Sequence, residues 1–343
     1  MIKHPSILVI YTGGTIGMVQ DIETGSLIPL DFSHLSEQIP EIKKFNYNIH
    51  TYSFQPVIDS SNIEPSIWVE LAKLIETNYE SYDGFVILHG SDTMAYTASA
   101  LSFMLENLGK PVILTGSQLP IGMLRTDGKE NFITAIEIAA ARKDDKPLVP
   151  EVCVYFENQL YRGNRTHKFN AEHFEAFRSV NYPVLAEAGV QIKYNHAFIH
   201  HSADQEFRIF TQLDSNIAIL KIFPGITPEV VGSILSIKGL KAVIMETYGS
   251  GNAPSSAWFL DLIKHAVDQG IIVVNITQCR GGSVVMGKYE TSLGLGKSGV
   301  VSGWDMTTEA ALTKLMYLLG NGYSLTKVKK YLQIPLRGEM TIH

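Results

Sequence analysis

Cysteine is nearly missing from this chain, with only Cys153 and Cys279 among 343 residues. Two thiols so far apart build neither a disulfide framework nor a metal-ligand spacing, and they read as buried free thiols of a reducing compartment. An excess of positive charge is lacking too. The formal net charge of -6 disfavours a nucleic-acid or anionic-membrane partner. Long hydrophobic runs are also absent: the N-terminal apolar run from Ile7 to Tyr11 is shorter than the roughly 7–15 residues of a signal-peptide core. No stretch approaches the roughly 18 apolar residues that cross a bilayer. Together these point to the cytoplasm. There is no internal repeat and no low-complexity tract. The histidines are scattered, and the His200-His201 pair lacks the spacing of a metal site, so it reads as an exposed loop. No metal site is expected from these spacings.

What is present is an ordinary globular composition, 45% hydrophobic and 18% charged, in a chain long enough for two domains. The stretch around which the chain is organised is Ile7-Leu8-Val9-Ile10-Tyr11-Thr12-Gly13-Gly14-Thr15-Ile16-Gly17. An apolar run rich in β-branched residues reads as a buried strand, and the Gly-Gly pair lets the backbone turn sharply and approach a ligand. Two threonines therefore stand at a strand's carboxyl end, where open α/β sheets bind ligands. A tight turn with locally satisfied threonines is an equal reading of this stretch alone. The glycine spacing is not the dinucleotide fingerprint.

Further along, Gln20 to Asp31 is polar and turn-rich and reads as a lid beside the first strand. Asn46 to Phe54 looks like a second strand, and Asp59-Ser60-Ser61-Asn62 reads as a cap for a helix starting near Pro65. Phe85 to Leu88 is a strand ending in His89-Gly90-Ser91-Asp92-Thr93, and a helix is expected from Met94 to Leu108. Pro111 to Leu114 is a strand ending in Thr115-Gly116-Ser117-Gln118, with a helix from Asn131 to Arg142. Glu151 to Phe156 is a further strand, followed by Tyr161 to Lys168. Short apolar runs alternating with amphipathic helices mark a mostly parallel sheet covered on both faces. The polar clusters are expected to follow strand ends and to converge on one crevice.

From Tyr182 to Leu213 the pattern loosens, which suggests an N-terminal domain over 1–190, a linker over 191–211 and a C-terminal domain over 212–343. In the last, Ile217 to Phe223, Ala242 to Thr247 and Ile271 to Gln278 read as strands, with helices from Pro228, Ser255, Thr308 and Leu325.

Thr12 or Thr15, the Ser91-Asp92 pair and Lys168 in one crevice would suit acyl transfer. A hydroxyl is a weak nucleophile until a base takes its proton, and a lysine kept partly neutral can be that base. Asp92 could instead pair with Lys168 or receive a substrate's ammonium group. Each residue also has a bland reading, as a helix cap for Ser91-Asp92 and as a solvated loop residue for Lys168.

The sequence resembles the bacterial-type L-asparaginases over nearly its whole length, and is closest to their cytoplasmic type I branch. Tyr11-Thr12-Gly13-Gly14-Thr15-Ile16-Gly17 matches one family signature and His89-Gly90-Ser91-Asp92-Thr93-Met94-Ala95-Tyr96-Thr97 the second. Leu114 to Gln118, Gly163 to Lys168 and Tyr248-Gly249-Ser250-Gly251-Asn252 match as well. The resemblance implies an α/β protein with a larger N-terminal domain, its mostly parallel sheet flanked by helices, plus a smaller C-terminal α/β domain. It further implies hydrolysis of L-asparagine to L-aspartate and ammonia without a cofactor. By that resemblance Thr15 is the nucleophile, Thr12 is structural, and Ser91 is the second hydroxyl where relatives more often carry threonine. Asp92 and Lys168 complete the triad. Asp92 binds the substrate's amino group, and Ser60, Ser61 and backbone around Asp59 hold its carboxylate. Backbone N–H groups of the turns around Thr15 or Gly90-Ser91 would receive the oxyanion.

Two departures from the family stand out. The lid holds no tyrosine to orient the nucleophile, with Leu27 near the expected place, so Tyr289 from a neighbouring subunit is expected to serve in a homodimer or dimer of dimers. An arginine that helps some relatives bind a second asparagine is replaced by Glu246, which puts allostery in doubt although Gln278 and Cys279 are kept. Two other functions compete. One is the asparaginase-like subunit of a tRNA-dependent amidotransferase, which usually carries an extra N-terminal domain; the other is a non-catalytic amino-acid-binding protein, which would have no reason to keep Thr15, Ser91 and Lys168 together.

Overall fold

The computed structural model describes residues 4–20, 27–29, 39–202, 205–287 and 290–342. Tyr289 and most of the segment from Gln20 to Asp31 lie outside them. The chain forms two compact units, residues 1–211 and 212–343.

The first unit is built on an eight-stranded sheet. Its strands are β1 (Ser6–Tyr11), β2 (Asn48–Ser53), β3 (Gly84–Leu88), β4 (Val112–Thr115), β5 (Val152–Phe156) and β6 (Gln159–Arg162). The two-residue β7 (His167–Lys168) pairs outside this sheet, and β8 (Ala186–Ala188) and β9 (Ile192–Tyr194) complete it. The order across the sheet is β9-β8-β6-β5-β4-β3-β1-β2. The five strands from β5 to β2 run parallel, and β6, β8 and β9 are antiparallel additions. Strands β1 and β3 to β5 read as unbroken apolar runs because they are buried on both faces.

Among the described residues three helices cover this sheet: α1 (Pro65–Asn78), α2 (Met94–Met104) and α3 (Gly128–Ala140). Helix α2 is almost entirely buried, which explains why it lacks an apolar stripe. It ends four residues before the expected Leu108, because Leu105–Glu106 leaves the helix to pair with Arg208–Ile209. The ends of the expected lid are joined: Met18–Gln20 pairs antiparallel with Leu27–Pro29. The segment around 190, read as irregular, carries β8 and β9.

The second unit has four parallel strands, β10 (Ile217–Lys221), β11 (Ala242–Thr247), β12 (Ile272–Thr277) and β13 (Val301–Ser302), in that order. Its helices are α4 (Pro228–Leu235), α5 (Ala257–Asp268), α6 (Glu290–Lys297), α7 (Thr308–Gly320) and α8 (Leu325–Leu332). Thr227, Thr307 and Ser324 cap α4, α7 and α8 through their hydroxyls, as such residues do at helix starts. Helix α6 falls in a glycine-rich stretch of the sequence. Of the two free cysteines, Cys153 is buried in β5, but Cys279 is exposed, since it follows β12 rather than lying within it.

Candidate active site

Parallel pairing sets four strand ends side by side. Tyr11 lies opposite Ser53 and Leu88, and Leu88 lies opposite Thr115. The segments that leave these ends are Thr12–Gly17, Phe54–Asn62, His89–Thr93 and Gly116–Gln118, so one edge of the sheet gathers most of the expected residues.

The turn after β1 is shaped by close packing. Gly13 and Gly14 have φ values of 139° and 91°. A Cβ on Gly13 would lie 2.0 Å from the Ile58 carbonyl oxygen, and one on Gly14 would lie 2.5 Å from the Gly90 Cα. Only glycine fits such approaches. The Gly14 contact sets the residue before Thr15 against the residue before Ser91.

The two threonines have different environments. Thr12 is buried and its hydroxyl donates to the Leu88 carbonyl at 3.0 Å, so its proton is committed to the backbone. Thr15 opens a short 3₁₀ turn, Thr15–Gly17, and is half-buried. Beneath that turn the Tyr11 hydroxyl donates to the Gly17 carbonyl at 3.0 Å, with the Gly14 carbonyl at 3.4 Å. Burial pushes the Tyr11 phenol up to about 12, so it stays a donor.

Asp59 does not cap α1, whose start carries Glu64 at the cap position with no side-chain bond. Instead its carboxylate accepts the backbone N–H and hydroxyl of Ser61, at 2.9 and 2.8 Å, and closes the 3₁₀ turn Ser60–Asn62. Those bonds hold the Asp59 carboxyl below its ordinary value. Ser60 is buried, with its carbonyl accepting the Thr93 hydroxyl at 2.7 Å. A Cβ on Gly90 would meet the Ser60 hydroxyl oxygen at 2.5 Å, so Ser60 and Gly90 are in contact.

Lys168 reaches this edge by another route than the sequence suggests. Strand β6 runs back from the β5 turn, and Arg162 pairs with Cys153 near the start of β5. The segment Gly163–Lys168 therefore begins at the opposite edge of the sheet and packs along α2 on its way back. At its end the Lys168 ammonium donates to the Ser91 hydroxyl at 2.8 Å and to the Asp92 carboxylate at 2.7 Å. Lys168 is 18% exposed and Asp92 65% exposed, so the pair opens to solvent on the carboxylate side.

Gln118, which carried no expected role, completes the arrangement. Its amide oxygen accepts the Ser91 hydroxyl at 3.3 Å, and its amide nitrogen donates to the Ala171 and His173 carbonyls, both at 3.1 Å. Its backbone N–H donates to Asp127, which also receives Leu119 N–H. Burial raises the Asp127 carboxyl despite these bonds. A glutamine directly after a strand-ending Thr-Gly-Ser was the only available signal.

The structure thus groups Ser91 with Asp92 and Lys168 by direct bonds, and sets the Thr15 turn and Ser60 against Gly90. Tyr289 is outside the described residues. Among the described residues no three His, Cys, Asp or Glu side chains cluster as metal ligands would.

Residues 6–200 match the family model for the N-terminal domain of asparaginase, and residues 216–332 that for the glutaminase/asparaginase C-terminal domain. The chain is 46% identical over 345 residues to L-asparaginase 1 of Escherichia coli K12, covering 99% of both. It is 41% identical over 361 residues to the 60 kDa lysophospholipase of Mus musculus, covering 98% of this chain and 62% of that protein. The crystal structure of L-asparaginase I from Vibrio cholerae superposes with a TM-score of 0.89 at 42% identity, covering 99% of this chain and all of that one. With both family domains matched and close relatives along its full length, the chain belongs to the asparaginase family.

Proposed function

We propose that the enzyme hydrolyses L-asparagine to L-aspartate and ammonia, with Thr15 as nucleophile. The Thr15 oxygen attacks the side-chain amide carbon, its proton leaves to a base, and collapse of the tetrahedral adduct breaks the C–N bond. Ammonia departs with that proton, and water then cleaves the acyl-enzyme ester to regenerate the threonine hydroxyl. Lys168 and Ser91 form the proton path, Asp92 receives the substrate's ammonium group, and Ser60, Ser61 and backbone around Asp59 hold its α-carboxylate.

The observation that carries this reading is the pair of short bonds from Lys168 to Ser91 and Asp92, beside the Gly14–Gly90 contact. Thr15 is favoured over Thr12 because the Thr12 proton is already given to Leu88. The lid from Gln20 to Asp31 contains no tyrosine, so Tyr289 of a second subunit orients Thr15 within a homodimer or dimer of dimers. The enzyme works in the cytoplasm, as the type I branch it resembles does; no helix among the described residues is long and apolar enough to cross a membrane.

Ammonia release from L-asparagine by the purified protein tests the reading. Thr15→Val removes the nucleophilic oxygen at nearly constant volume and abolishes turnover with the fold intact, whereas Thr12→Val retains far more activity. The opposite order would overturn the assignment. Restored activity on mixing Thr15→Val with Tyr289→Phe protein supports a shared site, and no recovery despite subunit exchange refutes it.

A further inference from the structure

His89 ends β3 at the candidate site, yet none of the roles above uses it. It is 1% exposed, and burial pulls its imidazole down to about 4, so the ring is neutral at working pH. A neutral imidazole has one N–H and one acceptor nitrogen, and its partners decide which is which. Nδ1 lies 2.7 Å from the Gly90 carbonyl oxygen, which can only accept, so the proton is on Nδ1. Nε2 is then an acceptor and takes the Thr97 hydroxyl at 2.9 Å. The Thr97 oxygen in turn accepts the Trp68 indole N–H at 3.0 Å, a group that can only donate. All three side chains are buried, so the chain Trp68 to Thr97 to His89 to Gly90 runs in one direction without alternatives.

The end of that chain is the peptide between Gly90 and Ser91. Its bond is trans, so the Ser91 N–H points away from the carbonyl that His89 holds. Among the described residues that N–H has no protein acceptor, although it belongs to the residue that Lys168 contacts. The surrounding backbone leaves little room for the peptide to turn otherwise. The His89 N–H donates to the Thr115 carbonyl at 2.9 Å, and a Cβ on Gly116 would meet the His89 carbonyl oxygen at 2.4 Å.

We propose that His89, locked in its Nδ1–H tautomer by Thr97 and Trp68, is a positioning residue that holds the Gly90–Ser91 peptide so that the Ser91 N–H meets the oxygen of the scissile amide as negative charge builds on it. The inference rests on the amidohydrolase reading given above. Donors fixed in advance at a developing oxyanion cost no reorganisation during reaction, and loss of one costs about 10²–10³-fold in kcat. Displacing a group by about 1 Å can cost ~10²-fold.

The test compares Thr97→Val, which removes the hydroxyl, with Thr97→Ser, which keeps it. The valine variant is expected to lose about 10²-fold in kcat with KM little changed, and the serine variant to recover most of it. Imidazole ¹⁵N spectra of the wild type, with the His89 signal assigned by its absence in His89→Asn, should show the Nδ1–H tautomer. Wild-type kcat per folded Thr97→Val molecule, with only a lower Tm, would reduce the chain to a structural brace and overturn the proposal, as would an Nε2–H tautomer. If the valine variant does not fold, Trp68→Phe takes its place, with a smaller fall in kcat expected and an unchanged kcat overturning the idea. Absence of ammonia release by the wild type would instead defeat the amidohydrolase reading, and the tautomer result would stand apart from it.

Discussion

Each unit of the chain holds a lysine bonded to a carboxylate, and the two pairs differ in almost everything else. In the first unit Lys168 meets Asp92 at 2.7 Å with the carboxylate 65% exposed, and the same ammonium also holds the Ser91 hydroxyl. In the second, Lys314 meets Glu339 at 2.5 Å with both side chains fully buried. The Lys314 ammonium also donates to the Ile334 carbonyl at 2.8 Å, while Glu339 accepts the N–H groups of Leu336 and Arg337. Burial lowers the Lys314 ammonium. Burial alone would raise the Glu339 carboxyl, but the Lys314 charge and the bonds it accepts hold it below its ordinary value. A buried pair with its bonding capacity spent inside the protein pins the segment after α8 to α7. A pair left half-open, with a hydroxyl attached, has capacity left for a ligand.

The sharpest way to break this contrast is to remove each lysine in turn. Lys168→Met should cost at least about 10²–10⁴-fold in turnover, the usual contribution of a positioned proton-transfer group, with little change in Tm. Lys314→Met leaves a carboxylate buried without its cation and should cost about 3–5 kcal/mol in stability by denaturant titration. Its folded fraction should keep wild-type kcat. A large Tm loss for Lys168→Met with unchanged kcat would invert the comparison.

Acid should separate the pairs next. The Glu339 carboxyl is lowered from its ordinary 4.5 in the folded protein, so its contribution is present above that value and is lost as pH falls through the lower folded one. A variant carrying both Lys314→Met and Glu339→Gln should therefore lose less stability below pH about 4.5 than the wild type does. Equal acid slopes would remove Glu339 from the account.

A finer probe is Ser91, whose oxygen joins Lys168 to Gln118. Ser91→Thr keeps that oxygen and should stay active, while Ser91→Ala should fail in steady-state assays. A fully active alanine variant would take Ser91 out of the proton path.

The smallest expected effect is in the shape of the rate curve. Glu246 accepts the Thr308 hydroxyl at 2.8 Å and the Lys221 ammonium at 3.3 Å, which anchors a carboxylate at the position where the family resemblance leads one to expect an arginine for a second asparagine. The dependence on asparagine should be hyperbolic. A Hill coefficient well above one would contradict this.

Much of this was legible in the order of residues because strands, helices and tight turns are written by local rules. Unbroken apolar runs identified β1, β3, β4 and β5 to within a residue or two, since a parallel strand covered on both faces has no polar side to show. The Gly13-Gly14 turn and its two threonines stood out because few residues tolerate those backbone angles. The family signatures around Thr15 and Ser91 then named the chemistry. Other features had no local signature. Lys168 and Ser91 are 77 residues apart, and they meet only because β6 folds back and the following segment crosses the sheet along α2. Asp59 looked like a cap for α1, but the chain between them folds into its own turn, which takes the carboxylate first. Gln118, the His89 tautomer and the buried Lys314–Glu339 pair depend on side chains brought together from separate elements. Periodicity and propensity fix what a stretch becomes, whereas a bond between distant side chains exists only once packing has removed water from around them and left one another as partners.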